Sequence, residues 1–251
     1  MLPARLRCTH ERPDEDMNEV GKRFICISAY ALGMALLEAI VVIYLRALLL
    51  VSSEQVSLGS HLRVEIYREM GTLVMLAAVG WLAGQDKLDR LAYALFAFGL
   101  WDIGYYAWLK VLIGWPATPL DWDILFLIPL RWWGPVLAPI LMASLICVGA
   151  VLAVVRLERR ERLGITSVRL VCLGLGCLLA LYVFMADALH ALLAGRSDWT
   201  TIWPGPFNWP LFCLALALMA LPVLTATWPT AGRRSTIGGA KNPGLSRKSG
   251  C

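Results

Sequence analysis

The chain reads as all-α, a polytopic transmembrane helical bundle of about six spans. Of its 251 residues 59% are hydrophobic and only 16% charged, where soluble domains run about a quarter charged. The apolar residues fall into runs long enough for a bilayer, which takes about 20 residues per helix. Trp115, Trp122, Trp132, Trp133, Trp199, Trp203, Trp209 and Trp228 lie near expected span ends, where an amphipathic indole favours the interface. One membrane domain, 24–228, is expected between two polar tails.

The first tail, 1–23, is polar and of mixed charge. The apolar run behind it is too long for a cleavable leader and has no A-x-A exit, so the first helix, 24–51, is expected to insert and stay. A short second helix follows at 69–84, and a third at 91–115. The stretch 124–157 is too long for one span and contains Pro129, Pro135 and Pro139. It is expected to divide into an interfacial or re-entrant piece, ILFLIPLRWWGP, and a true fourth span from 136; broken helix at membrane depth is tolerated where protein surrounds it. The fifth helix covers 168–194 and the sixth 209–228. The tail 229–251, rich in Gly, Ser, Lys and Arg, cannot bury apolar surface and is expected to be disordered.

Orientation follows from the basic residues. With the N-terminus inside, 17 of the 23 Lys and Arg fall in cytoplasmic segments, which puts both termini on the cytoplasmic side. The net charge of +5 therefore orients the chain in a membrane and gives no indication of nucleic acid. The loop RLERRERLGITSVR should attract anionic lipid, so membrane lipids are the expected partners, with a homodimer or a membrane-complex partner open beside them. The seven cysteines are scattered without a C-x-x-C pair and read as small apolar residues.

Ionisable residues interrupt the spans. A charged side chain at the bilayer centre costs about 2.5–3.5 kcal/mol on insertion scales, so each marks a site by default. Glu38 stands near mid-membrane in the first helix, and Arg46 follows eight residues later, about 12 Å nearer the outer surface and turned by about 80°. The third helix repeats the design with Asp102 and Lys110. The second helix brings Glu65, Arg68 and Glu69, with Thr72 one turn deeper. Trp101, Tyr105 and Tyr106 flank Asp102, and the two tyrosine hydroxyls could meet the carboxylate or a ligand. The following loop supplies Asp121, Asp123 and Arg131, and the fifth helix Asp187 and His190.

Buried charges must pair or find hydrogen bonds. Glu38, Glu69, Asp102, Arg46, Arg68 and Lys110 are therefore expected in one interior cluster opening outward. Glu38, Glu69 and Asp102 are its expected catalytic carboxylates, since a desolvated acid can serve as general acid or base. Arg46, Arg68, Tyr105, Tyr106, Lys110, Asp123, Asp187 and His190 are its expected binding groups. An ion-pair network that only pins the helices is the alternative. No zinc or haem pattern is present, and no metal or other cofactor is implied; a metal on Glu38, Glu69, Asp102 and His190 is the weaker alternative. The Gly-rich run at Gly174 lies among leucines and reads as a helix-packing surface.

Four blocks, LEAIVVIYLR (37–46), EIYREMGTLVML (65–76), WDIGYYAWLKVLIGWP (101–116) and DWDILFLIPLRWWGPVLAP (121–139), resemble a family of uncharacterised bacterial multi-spanning integral membrane proteins. The resemblance covers about 30–145. It implies a bacterial inner membrane and carries no activity, substrate or cofactor. Arg131 stands in LFLIPLRWWGP where a smaller or uncharged residue is expected, which argues against a general role for it.

Three functions fit these expectations. The first is a binding protein or enzyme with an outward-facing polar intramembrane site, acting on an anionic lipid or lipid-linked substrate through its Arg and Lys residues. The second is a small proton-coupled transporter, and the third a non-catalytic subunit or assembly factor of a membrane complex.

Overall fold

The computed structural model describes residues 13–51, 58–159, 164–195 and 205–227. The chain order there is α1 (Pro13–Val51), α2 (Leu58–Ala83), α3 (Lys87–Ile113), β1 (Trp122–Ile124), β2 (Trp133–Pro135), α4 (Leu137–Glu158), α5 (Ser167–Leu193) and α6 (Trp209–Thr227). The tail 229–251 and Trp199, Trp203, Cys8, Cys251 and Arg196 lie outside the described residues.

The all-helical expectation holds, with two corrections. Both α1 and α2 start eleven residues before the expected positions 24 and 69. Their first turns are polar, so apolar content alone misses them, although nothing in those turns breaks a helix once the apolar part nucleates it. The expected interfacial or re-entrant helix is instead a small antiparallel hairpin, pairing Trp122 with Pro135, Asp123 with Gly134 and Ile124 with Trp133. Leu125 N–H continues the ladder to Trp132 O at 2.9 Å. Prolines at 129 and 135 cannot donate helical hydrogen bonds; Pro129 lies in the turn between the strands and Pro135 ends β2, where they need not.

The span expectation is met in part. Four described helices are long and apolar enough to cross a membrane: Met17–Ala47, Arg63–Ala83, Leu137–Glu158 and Ser167–Leu193. Six were expected. α6 is apolar over Trp209–Thr225 but short. α3 has 27 residues, yet Trp101, Asp102, Tyr105 and Tyr106 dilute its apolar character. That dilution has a structural reason: α3 is the central helix, packed by α1, α2 and α4, so it faces protein on most sides.

Outward-facing residues fit hydrocarbon as the surrounding solvent. Ile25, Leu82, Val111, Val168 and Leu193 are all at least 70% exposed, a surface that water would not tolerate over so many helices. Small residues bring the helices together. A Cβ on Gly80 would lie 2.4 Å from the Ala94 backbone nitrogen, so α2 and α3 touch backbone to backbone there. A Cβ on Gly176 would lie 2.9 Å from Ala215 O, which agrees with a packing role for the Gly-rich run of α5. α5 and α6 form a pair beside α4, and α5 also meets β2.

Helix ends are closed by ordinary means. Thr166 caps α5 by accepting the Arg169 N–H. Gly114, at φ +72°, ends α3.

Candidate functional site

A cavity of about 230 Å³ lies between α1, α2, α3 and the hairpin. Each element contributes the residues its periodicity turns inward. From α1 come Glu38 and Arg46, from α2 Glu65, Arg68, Glu69 and Thr72, from α3 Trp101, Asp102, Tyr105 and Tyr106, and from the hairpin Asp123 and 124–127. Five carboxyls thus face two guanidiniums.

Most of these charges are already engaged. Arg68 reaches across from α2 to Glu38 of α1, and along its own helix to Glu65, whose Oε1 accepts its Nε–H at 3.0 Å. Thr72 Oγ1 donates to Glu38 Oε2 at 3.2 Å. Glu69 accepts the backbone N–H of Leu127 on both oxygens, at 3.1 Å each, and so fastens the hairpin to α2. Arg46 pairs with Asp123 at 3.2 Å and lies over the Trp115 ring, 4.1 Å from its centroid. Tyr106 OH donates weakly to Asp123 at 3.4 Å. Burial pushes the Asp123 carboxyl up to about 6, against the pull of Arg46.

Asp102 is different. It is 9% exposed, lines the cavity and has no hydrogen bond or ion pair to any other described residue. Its neighbour Trp101, 6% exposed, keeps a buried indole Nε1–H without an acceptor among the described residues. A buried polar group without a partner is costly in an unliganded protein. Asp102 also borders a second, smaller hollow of about 40 Å³ whose walls include Phe98, Phe126, Trp132, Met142 and Phe184. A polar chamber and an apolar cleft therefore meet at one carboxyl.

The expected cluster is largely assembled: Glu38, Glu69, Asp102, Arg46, Arg68, Tyr105, Tyr106 and Asp123 all line the cavity. Three expected residues do not. Lys110 is exposed and donates to Gly114 O at 3.2 Å and Pro116 O at 2.6 Å, closing the end of α3. The carbonyl-rich helix end draws it away from Asp102. Asp187, on α5, accepts the Gly205 N–H at 3.2 Å, and His190 is exposed in the last turn of that helix. α5 packs on α6 and β2, and neither residue lines the chamber. Arg131 lies over the Trp133 ring at 5.8 Å and is absent from the cavity wall.

Glu65, Thr72 and Trp101 line the chamber beyond the expected set. The spacing of Glu65 to Glu69 and of Thr72 to Glu69 was the available signal, since i,i+3 and i,i+4 neighbours share a helix face. The Leu127 N–H had none, because no side-chain pattern marks a backbone donor. Toward the opposite end of α1 and α3, Ile27, Ala31, Ala35, Tyr93 and Ala97 form one buried cluster, with buried Asp89 and the Arg23–Glu158 pair beside Tyr93. No family model, no curated protein and no solved structure matches the chain.

Proposed function

We propose that this chain is a bacterial inner-membrane protein whose polar intramembrane chamber, open to the outer side, binds the headgroup of a lipid or lipid-linked molecule. Asp102 carries the reading: a carboxyl buried in a chamber, facing open space and lacking a partner among the described residues. A network that only pinned helices together would have paired it. The join of polar chamber and apolar cleft at Asp102 suits an amphiphile. Arg46 suits a phosphate at the mouth, since Asp123 uses one hydrogen bond of a group with five donors. The six-span topology with both termini cytoplasmic belongs to this proposal. α3, wrapped by three helices, counts as a span despite its polar face, and the 17-of-23 bias of Lys and Arg orients the bundle.

Asp102 is also available for acid–base chemistry on a bound headgroup, whereas Glu38 is held by Arg68 and Thr72 and Glu69 by the Leu127 N–H. A proton-coupled transporter is less well supported, because Ile27, Ala31, Ala35 and Ala97 pack in one apolar cluster along α1 and α3, apart from Asp89, Arg23 and Glu158 around Tyr93. Protonophore-sensitive uptake into proteoliposomes would restore it.

The test is to extract the protein with its surrounding bilayer and identify retained molecules by mass spectrometry, for wild type and Asp102→Asn. The reading expects a molecule enriched over bulk lipid in wild type and lost from a normally folded variant. Identical retention in both would refute it.

A further inference from the structure

The chamber also indicates the chemistry of the group that sits deepest in it. We infer that Asp102 receives a primary ammonium, carried beside an oxygen acceptor, as in an ethanolamine-type headgroup or a small soluble amine of that shape. The inference rests on the ligand-site reading above and adds the sign and donor count of the ligand.

Charge comes first. Acids outnumber bases around the chamber, and both guanidiniums are already held by carboxylates, Arg68 by Glu38 and Glu65 and Arg46 by Asp123. Glu69 is occupied by the Leu127 N–H. An anion seated at Asp102 would face unneutralised acid, whereas a cation would neutralise a carboxylate in a desolvated site, where such hydrogen bonds are strong.

Donor geometry then narrows the cation. Among the described residues no three His, Cys, Asp or Glu side chains are grouped to hold a metal ion. A quaternary ammonium needs an open aromatic cage, and here the rings pack on each other: Tyr105 on Tyr106 at 5.0 Å and Trp101 on Phe126 at 6.2 Å. A primary ammonium brings three N–H donors. Asp102 and the hydroxyl oxygens of Tyr105 and Tyr106 are acceptors on the same wall. Arg46, which lines the same chamber and gives Asp123 one of its five donors, asks for the converse, an acceptor oxygen close to the ammonium. A phosphate or hydroxyl two carbons from the nitrogen supplies it.

The experiment uses the full chain in nanodiscs of phosphatidylcholine doped with phosphatidylethanolamine, its mono- and dimethylated forms, or phosphatidylglycerol, with retained lipid counted by native mass spectrometry. Wild type should retain phosphatidylethanolamine about tenfold or more over phosphatidylcholine and phosphatidylglycerol. Retention should fall with each N-methyl group, and Asp102→Asn should erase the preference. Free ethanolamine is added in a second arm, to discs of phosphatidylcholine alone. A rise in melting temperature for wild type and none for the variant identifies a soluble amine as a ligand; no rise, together with phosphatidylethanolamine retention, identifies the lipid head. Asp102-dependent retention of phosphatidylglycerol or phosphatidylcholine overturns the ammonium and leaves the site reading standing. Loss of all Asp102-dependent retention overturns both. If the variant fails to fold, the methylation series on wild type decides: retention that does not fall with methylation overturns the inference.

Discussion

The carboxylate of Glu69, in the middle of the second helix, holds the backbone N–H of Leu127 with both of its oxygens, at 3.1 Å each. A side chain buried in one transmembrane segment thus fixes a loop 58 residues further along the chain. The hairpin forms one wall of the chamber, so this contact ties the shape of the site to α2.

Glu69→Ala should release that wall. A hydrogen bond to a charged acceptor contributes about 1.5–3 kcal/mol, so the Leu127 amide should exchange with solvent about ten- to a hundredfold faster. Hydrogen exchange of the reconstituted protein measures this directly. Glu69→Gln keeps one acceptor and should lie between. Unchanged exchange at Leu127 would show that the hairpin's own ladder, from Leu125 to Trp132, holds the loop without help.

Arg68 bridges Glu38 and Glu65, and its removal should damage the fold more than any single acid would. Breaking a buried pair leaves an uncompensated charge, at a cost of about 3–5 kcal/mol. Arg68→Met should therefore unfold at markedly lower temperature, and adding Glu38→Gln to it should recover much of the loss. A double-mutant cycle on melting temperature checks the sign: additive effects would mean that the two side chains do not act on each other.

These contacts show what the sequence makes legible. Glu38 and Arg46 line one chamber because rotation along a single helix is arithmetic. The same arithmetic put Lys110 beside Asp102 and failed. It takes no account of the free carbonyls at a helix end, which here capture the ammonium through Gly114 O and Pro116 O. Asp187 and His190 were misassigned for another reason. Membrane depth can be read from a chain, but which helix neighbours which cannot, and α5 pairs with α6 rather than with α1 or α2. The hairpin was hidden because its residues are as apolar as a helix would need, and only the proline positions distinguish the two.

Lys110→Met tests that correction. Loss of a cation at a helix C-terminus typically costs about 0.3–1 kcal/mol, so stability should fall slightly. Molecules retained by the chamber should be unaffected, because Lys110 points away from it. A loss of retention comparable to that of Asp102→Asn would return Lys110 to the site.

Asp123 should make stability depend on pH. Burial raises its carboxyl from an ordinary 3.8 to about 6, so the folded protein favours the neutral acid. The resulting stabilisation is complete below about pH 4 and is lost as pH rises through about 6. Relative to Asp123→Asn, wild type should therefore lose melting temperature between those limits and level off above them. Arg46→Met removes the attraction that opposes burial, and should carry the decline to higher pH. Parallel curves for wild type and Asp123→Asn would show that this carboxyl keeps its ordinary affinity for the proton.

The two glycines of α5 should respond in opposite directions. A methyl on Gly176 would meet Ala215 O at 2.9 Å and Met219 Cγ at 2.6 Å. The thioether can swing aside, but the carbonyl belongs to the backbone of α6. Gly176→Ala should therefore push α5 and α6 apart and cost about 1–3 kcal/mol, as overpacking usually does. Gly174, one residue beyond its immediate neighbour, has nothing within 4 Å of such a methyl. Gly174→Ala should gain up to about 1 kcal/mol, because alanine loses less backbone freedom in a helix. Thermal unfolding in one detergent measures both. Equal effects of the same sign would mean that this face of α5 makes no close contact with α6, and that the packing role assigned to Gly176 is wrong.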